Sequence, residues 1–224
     1  MTVRRHKRVV FERKSPKQDR ARVTREVIFE AAARIIEEQG VRALSTNSIA
    51  ARAGISIGTL YGHFANKEAI LVSMARQQLE FDGAAVLKAV GNEAIPGISR
   101  ARLAVRALIR LHLTRPDVRR VVMAAHAAHG LGPERAALVS RVAAKITATR
   151  NLAECSRTQE TALFVATRAV TSIIRAAFEE ASPLLGTQEF EDELTDMVER
   201  SFVPAALGAQ ASGPKLLAMP QYRS

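Results

Sequence analysis

The sequence predicts an all-α protein: a three-helix head at the N-terminus followed by a larger helical body. Three observations predict it. Hydrophobic residues make up 47% of the chain but aromatics only 4%, so Ala, Leu, Ile and Val carry the pattern, and they recur at helical spacing. No run shows sustained apolar–polar alternation or hairpin-turn chemistry. Gly and Pro fall between helix-length segments, at Gly40, Gly54, Gly91 to Gly97, Pro116, Gly132-Pro133 and Ser182-Pro183.

Taken in order, residues 1–17 (MTVRRHKRVVFERKSPK) read as a basic flexible arm, because charge density and Ser15-Pro16 oppose a packed element. A first helix spans about Gln18 to Gln39, with Val23, Val27, Ala31 and Ile35 on one i, i+4 row and Ile28 and Ala32 beside it. Gly40 stops it. Ser45 or Thr46 caps a short helix whose apolar stripe is Ile49, Ala50 and Ala53, and Gly54 ends it as a left-handed cap. Ser56 caps the next helix, about Ile57 to Phe64, with Leu60 and Phe64 facing inward. A helix, a turn of three or four residues and a second helix form a DNA-binding helix-turn-helix, whose second helix meets base edges in the major groove.

Asn66 caps a fourth helix running to around Val90, with Ile70, Leu71, Met74 and Phe81 as its apolar contacts. Further helices are expected over about 98–114, 116–129, 133–155, 158–181 and 187–204. The helix over 158–181 is apolar over too wide a surface for one stripe, so it should be covered on more than one side. The last helix is acidic outside and apolar on Phe190, Leu194, Met197, Val198 and Phe202. Two adjacent helices of this kind suit a four-helix bundle with their copies in a second subunit. The expected organisation is thus an arm over 1–17, a helix-turn-helix domain over 18–68, a ligand-binding and dimerisation body over 69–206 and a flexible tail over 207–224.

Charge follows the same division. The formal net charge is +11, of which residues 1–67 hold +8 (14 Lys/Arg against 6 Asp/Glu). The excess cation sits with the helix-turn-helix, where phosphate neutralisation requires it; an anionic membrane or another polyanion is the competing partner. Arg4, Arg5, Lys7 and Arg8 of the arm either follow the DNA backbone or remain solvated. The single cysteine, Cys155, permits no intrachain disulfide and suits a reducing cytoplasm. No signal peptide and no run of ~20 apolar residues able to span a bilayer is expected, so no membrane partner is.

The stretch AGISIGTLYGHFANKEAIL (Ala53 to Leu71) resembles the signature of the TetR family of bacterial transcriptional regulators, and TREVIFEAAARIIEEQG (Thr24 to Gly40) resembles that family's first helix. The likeness is specific over Val23 to Leu71 and architectural afterwards. It implies base readers at Asn47, Ser56, Ile57, Gly58, Thr59 and Gly62, and phosphate contacts from Thr46, Tyr61, His63 and Lys67. Asn bonds adenine bidentately, and a Thr or Ile methyl packs on thymine. Gly62 departs from the family's usual larger side chain. The resemblance also implies that the last two long helices pair between subunits; Phe164, Ile173, Phe190, Leu194 and Met197 are the interface candidates.

For a small molecule, His112, His126 and His129 are the candidate polar groups of an otherwise apolar pocket; a metal site is disfavoured, since no Cys or carboxylate stands at ligand spacing. No phosphate loop, nucleophile elbow or carboxylate pair marks an enzyme, and no cofactor is expected. These features together predict a homodimeric repressor that binds near-palindromic double-stranded DNA and is released by a small-molecule effector. The rival is an architectural DNA-binding protein without an effector.

Overall fold

The computed structural model describes residues 16–91, 99–148 and 157–200. Among them the chain forms nine α-helices and no strand. The head consists of α1 (Pro16–Gln39), a 3-10 turn (Val41–Ala43), α2 (Thr46–Ala53) and α3 (Ile57–Tyr61). Helix α4 (Lys67–Gly91) leads into the body, built from α5 (Arg100–Leu113), α6 (Pro116–Ala128), α7 (Gly132–Ala148), α8 (Arg157–Glu179) and α9 (Gln188–Arg200). The expected arm up to residue 15, the tail from 207, Cys155 and Phe202 lie outside the described residues.

Two cores hold these helices. In the first, Ile28 and Ile35 of α1 close over Ile49 of α2 and Leu60 of α3, and Ile70 and Met74 bring α4 into the same cluster. Val118 and Val122 of α6 join it from the body, so head and body share buried surface. The α1 row is shorter than expected: Ala31 and Ile35 are buried, but Val23 and Val27 are exposed, because α2 and α3 cover only the C-terminal part of α1. Phe81 is likewise exposed rather than a core contact of α4. In the second core, Val105 and Ile109 of α5 meet Val170 and Ile174 of α8 and Leu194 of α9.

That second core covers part of the expected interface. Leu194 is 4% exposed, and Phe190 and Met197 pack on the same cluster. Helix α9 has one apolar stripe, and the protomer itself uses it. The solvent side of α9 carries Glu189, Glu193 and Asp196. By contrast Phe164, Val165 and Ile173 of α8 remain 59%, 57% and 39% exposed. Helix α8 also corrects the expectation about apolar length: Thr161–Glu179 is long and apolar enough to cross a membrane by composition, yet only 28% of that window is buried. It packs on α5, α7 and α9 through one side, and its Arg168 and Arg175 bond Ser140 and Glu179.

Helix α9 is also tied to α5 by charge. Glu191, buried, accepts from Arg106 Nε and Nη2 at 3.0 and 2.7 Å and from Arg102 Nη1 at 3.2 Å. These bonds, those from Arg106 foremost, hold the Glu191 carboxyl below the usual carboxylate range. A depressed folded-state pKa contributes stability that is full above the ordinary carboxylate pKa and is lost as pH falls through the lowered value. Glu191→Gln should therefore lower stability by about 1–3 kcal/mol at neutral pH. Denaturant titration should also find the variant losing less stability on acidification than the parent; equal acid sensitivity would show that Glu191 is not the titrating group.

Candidate nucleic-acid interface and body cavity

The corner of the helix-turn-helix is built by caps. The Ser45 hydroxyl accepts the Ser48 N–H at 3.0 Å, and the Ser48 hydroxyl accepts the Ser45 N–H at 2.9 Å, a reciprocal cap on α2. Gly54 ends α2 at φ 67°, a left-handed conformation that a side chain would strain. Ser56 then opens α3 by accepting the Thr59 N–H at 3.0 Å. Helix α3 holds five residues, shorter than the expected run to Phe64. Its last turn is looser: Gly62 N–H bonds Gly58 O, and His63 and Phe64 both return to Leu60 O.

Burial sorts this segment into an anchor and a face. Leu60 and Phe64 are buried, and the Phe64 ring lies 5.6 Å from that of Phe29 on α1. With that side fixed, Asn47, Ser56, Ile57, Gly58, Thr59, Tyr61 and Gly62 are all exposed. Thr46 and His63 are half-buried, and Thr46 Oγ1 lies 3.3 Å from the Tyr61 hydroxyl, tying α2 to α3. The Ser56 and Thr59 hydroxyls are 2.8 Å apart. A methyl at Gly58 would meet little but Ser56 Oγ at 3.8 Å, so the face there is flat and open. Lys67 is exposed at the first position of α4, which Asn66 caps by accepting the Ala69 N–H at 2.8 Å.

The body holds a half-open cavity of about 200 Å³ between α4, α5, α7 and α8. Its wall is mostly aliphatic, including Val86, Val105, Leu138 and Val170. Gly83 lets α7 come close: a Cβ there would stand 2.9 Å from Leu138 Cδ1. Charged and polar wall residues are Asp82, His112, Arg100, Arg135, Thr167, Thr171 and Arg175. Of the three histidines expected in a pocket, only His112 lines this one. Its Nδ1 donates to the Leu108 carbonyl at 2.8 Å, its ring meets the Phe178 ring edgewise, and burial pushes its pKa down. His126 is buried away from the wall, and His129 is exposed at the end of α6, so the three do not converge. The sequence offered no signal for Arg135, Asp82 or the threonines, which become neighbours only through helix packing.

Charged links run from this wall to the head. Arg119 of α6, buried, gives both terminal nitrogens to Asp82 at 2.9 and 3.0 Å. One turn earlier, at the N-cap of α6, Arg115 grips α1: Nε and Nη2 bond Glu37 at 2.7 and 2.8 Å, and Nη1 bonds Glu30 at 2.8 Å. Arg115 holds this position at φ 50° and ψ 58°, a left-handed conformation that costs a non-glycine residue about 1–2 kcal/mol.

Comparison with known proteins agrees with this architecture. Residues 28–74 match the model for bacterial regulatory proteins of the tetR family, and residues 99–200 match the model for a tetracyclin repressor-like C-terminal domain. The tetracycline repressor protein class D of Escherichia coli is 36% identical over 106 residues, 43% of this chain and 48% of that protein. The chain thus spans about half the length of the curated relatives it matches first. The crystal structure of the multidrug binding protein EbrR with imidazole superposes with a TM-score of 0.58 at 22% identity, covering 81% of this chain and 97% of that one. The regulator PfmR from Thermus thermophilus gives a TM-score of 0.53 at 26% identity, covering 79% and 95%. On the fold, the helix-turn-helix and the two family models that divide the chain between them, the protein belongs to the TetR family of bacterial regulatory proteins.

Proposed function

We propose that the protein is a ligand-responsive transcriptional regulator: a homodimer whose two heads bind a near-palindromic operator, released when a small molecule enters the body cavity. One observation carries this reading. Helix α4 packs in the head core through Ile70 and Met74 and, without a break, walls the cavity through Leu79, Gly83 and Val86. An occupant that shifts α4 moves the head. Helix α6 supplies a second route, since Arg119 meets the cavity wall at Asp82 and Arg115 meets α1. Two half-sites must lie ~34–36 Å apart, or a multiple of this, to present successive major grooves on one face. A dimer with altered head separation cannot satisfy both, and DNA is released. An architectural protein without an effector has no use for a cavity joined to its heads in this way.

Three measurements test the parts of this reading. Asn47→Ala and Thr59→Ala should change base preference, by ~1–3 kcal/mol per lost good base contact, whereas Lys67→Ala should weaken all DNA alike and lower the salt slope by about one. Selection from a random DNA pool with each variant checks this; a changed preference in Lys67→Ala alone would reverse the assignment of readers and anchors.

Ile173→Glu places a charge on the exposed face of α8, so the protomer should fold normally. The dimer should dissociate in sedimentation and operator affinity should collapse, because one head loses the gain of linked binding. A variant that stays dimeric would remove α8 from the interface.

Arg115→Ala should leave operator binding near the parent's, since an exposed ion pair is worth only about 0–1 kcal/mol. It should weaken the release caused by an effector, measured as the ratio of operator affinities with and without it. An unchanged ratio would exclude the Arg115 link as a route.

A further inference from the structure

The charges on the cavity wall are unevenly satisfied. Asp82 is held by Arg119 and also accepts from Gln78 Nε2 at 2.7 Å. Arg175 donates to Glu179 at 2.8 Å. The Thr167 and Thr171 hydroxyls donate to carbonyl oxygens of their own helix, those of Leu163 and Thr167, at 2.8 and 2.9 Å. The His112 Nδ1 proton is held by Leu108 O. Arg100 and Arg135, both half-buried, are different: neither guanidinium has a hydrogen bond or ion pair among the described residues. Arg135 stands on the first turn of α7 among other cations. Its electrostatic neighbours are Arg175 and Arg168, which repel it, and Glu179, whose carboxylate already accepts from Arg175. Nearby, the buried His126 feels the charges of Arg135 and Arg175, and its Nε2 has no hydrogen-bond partner. Burial and the two arginines push the Arg135 pKa down, a sign of an uncompensated cation.

An unpaired guanidinium beside an aliphatic cavity is costly unless something neutralises it. A carboxylate does so with two parallel hydrogen bonds, a geometry the planar guanidinium fits. We propose that the cavity takes an amphipathic anion, with its carboxylate bound by Arg135 and its apolar body against Val105, Leu138 and Val170. Naming this molecule the effector rests on the function proposed above; its binding at Arg135 does not.

The test is calorimetric titration of the full-length protein with sodium octanoate, 1-octanol and octylammonium chloride, molecules alike in apolar chain and different in head charge. Octanoate should bind at least tenfold tighter than octanol, and octylammonium weakest. Arg135→Gln should weaken octanoate on the order of tenfold to a hundredfold, the range of a charge-assisted hydrogen bond, while leaving octanol unchanged. Retained octanol binding also shows that the variant's cavity is intact, and Arg135→Lys should restore part of the octanoate affinity. The proposal fails if octanoate does not bind saturably, if octanol or octylammonium binds as tightly, or if Arg135→Gln leaves octanoate affinity unchanged. Octanoate that binds through Arg135 yet leaves operator affinity unaltered would uphold the anion site and refute ligand-controlled release.

Discussion

Helix α4 is shared between the head core and the cavity wall, and the rest of the structure is arranged around that constraint. At 25 residues it is roughly 37 Å long, taking 1.5 Å per residue. Its first half is fixed among α1, α2 and α3 by Ile70, Met74 and Ala75, and its second half is packed against α5 and α7. A continuous helix does not bend cheaply at an arbitrary point. The orientation of the head and the shape of the cavity are therefore two views of one rigid element.

The ionic links differ in weight according to where they lie. Arg119 and Asp82 are largely withdrawn from water, so losing either partner leaves a charge with little solvent to receive it. Arg115 and its two glutamates are each more than one-third exposed, and solvent screening makes them a guide to register more than a source of stability. Through its ion pairs the same helix thus holds the cavity wall tightly and α1 loosely, while Val118 and Val122 pack in the head core. That asymmetry suits a device in which the outer contact must give way while the inner one stays formed.

The fold class, the order of helices and the inward turn of Leu60 and Phe64 were legible in the sequence because each follows from local rules: helical spacing, Ser and Asn caps, and a Gly at positive φ. The partner of an apolar stripe was not legible. Leu194 and Ile173 both sit on apolar faces, and nothing in their spacing says that one is covered by the protomer's own α5 while the other stays open. Val23 and Val27 show the same limit in reverse, since a regular stripe extends past the helices available to cover it. The cavity was harder still. Asp82, Arg135 and Thr171 come from three separate helices, and of the histidines proposed as pocket residues only His112 reaches the wall.

The close approach at Gly83 has a consequence for how this protein could diversify. A helical glycine costs about 1 kcal/mol relative to alanine, yet here it lets α4 and Leu138 of α7 nearly touch. Leu138 is itself part of the cavity wall. A single methyl gained at position 83 would therefore displace Leu138 by a few tenths of an ångström or more, and the lumen would change shape without any change at the exposed face of α3. On the proposed function, descendants of this chain could in that way exchange one chemical signal for another while the exposed face of α3 stayed the same.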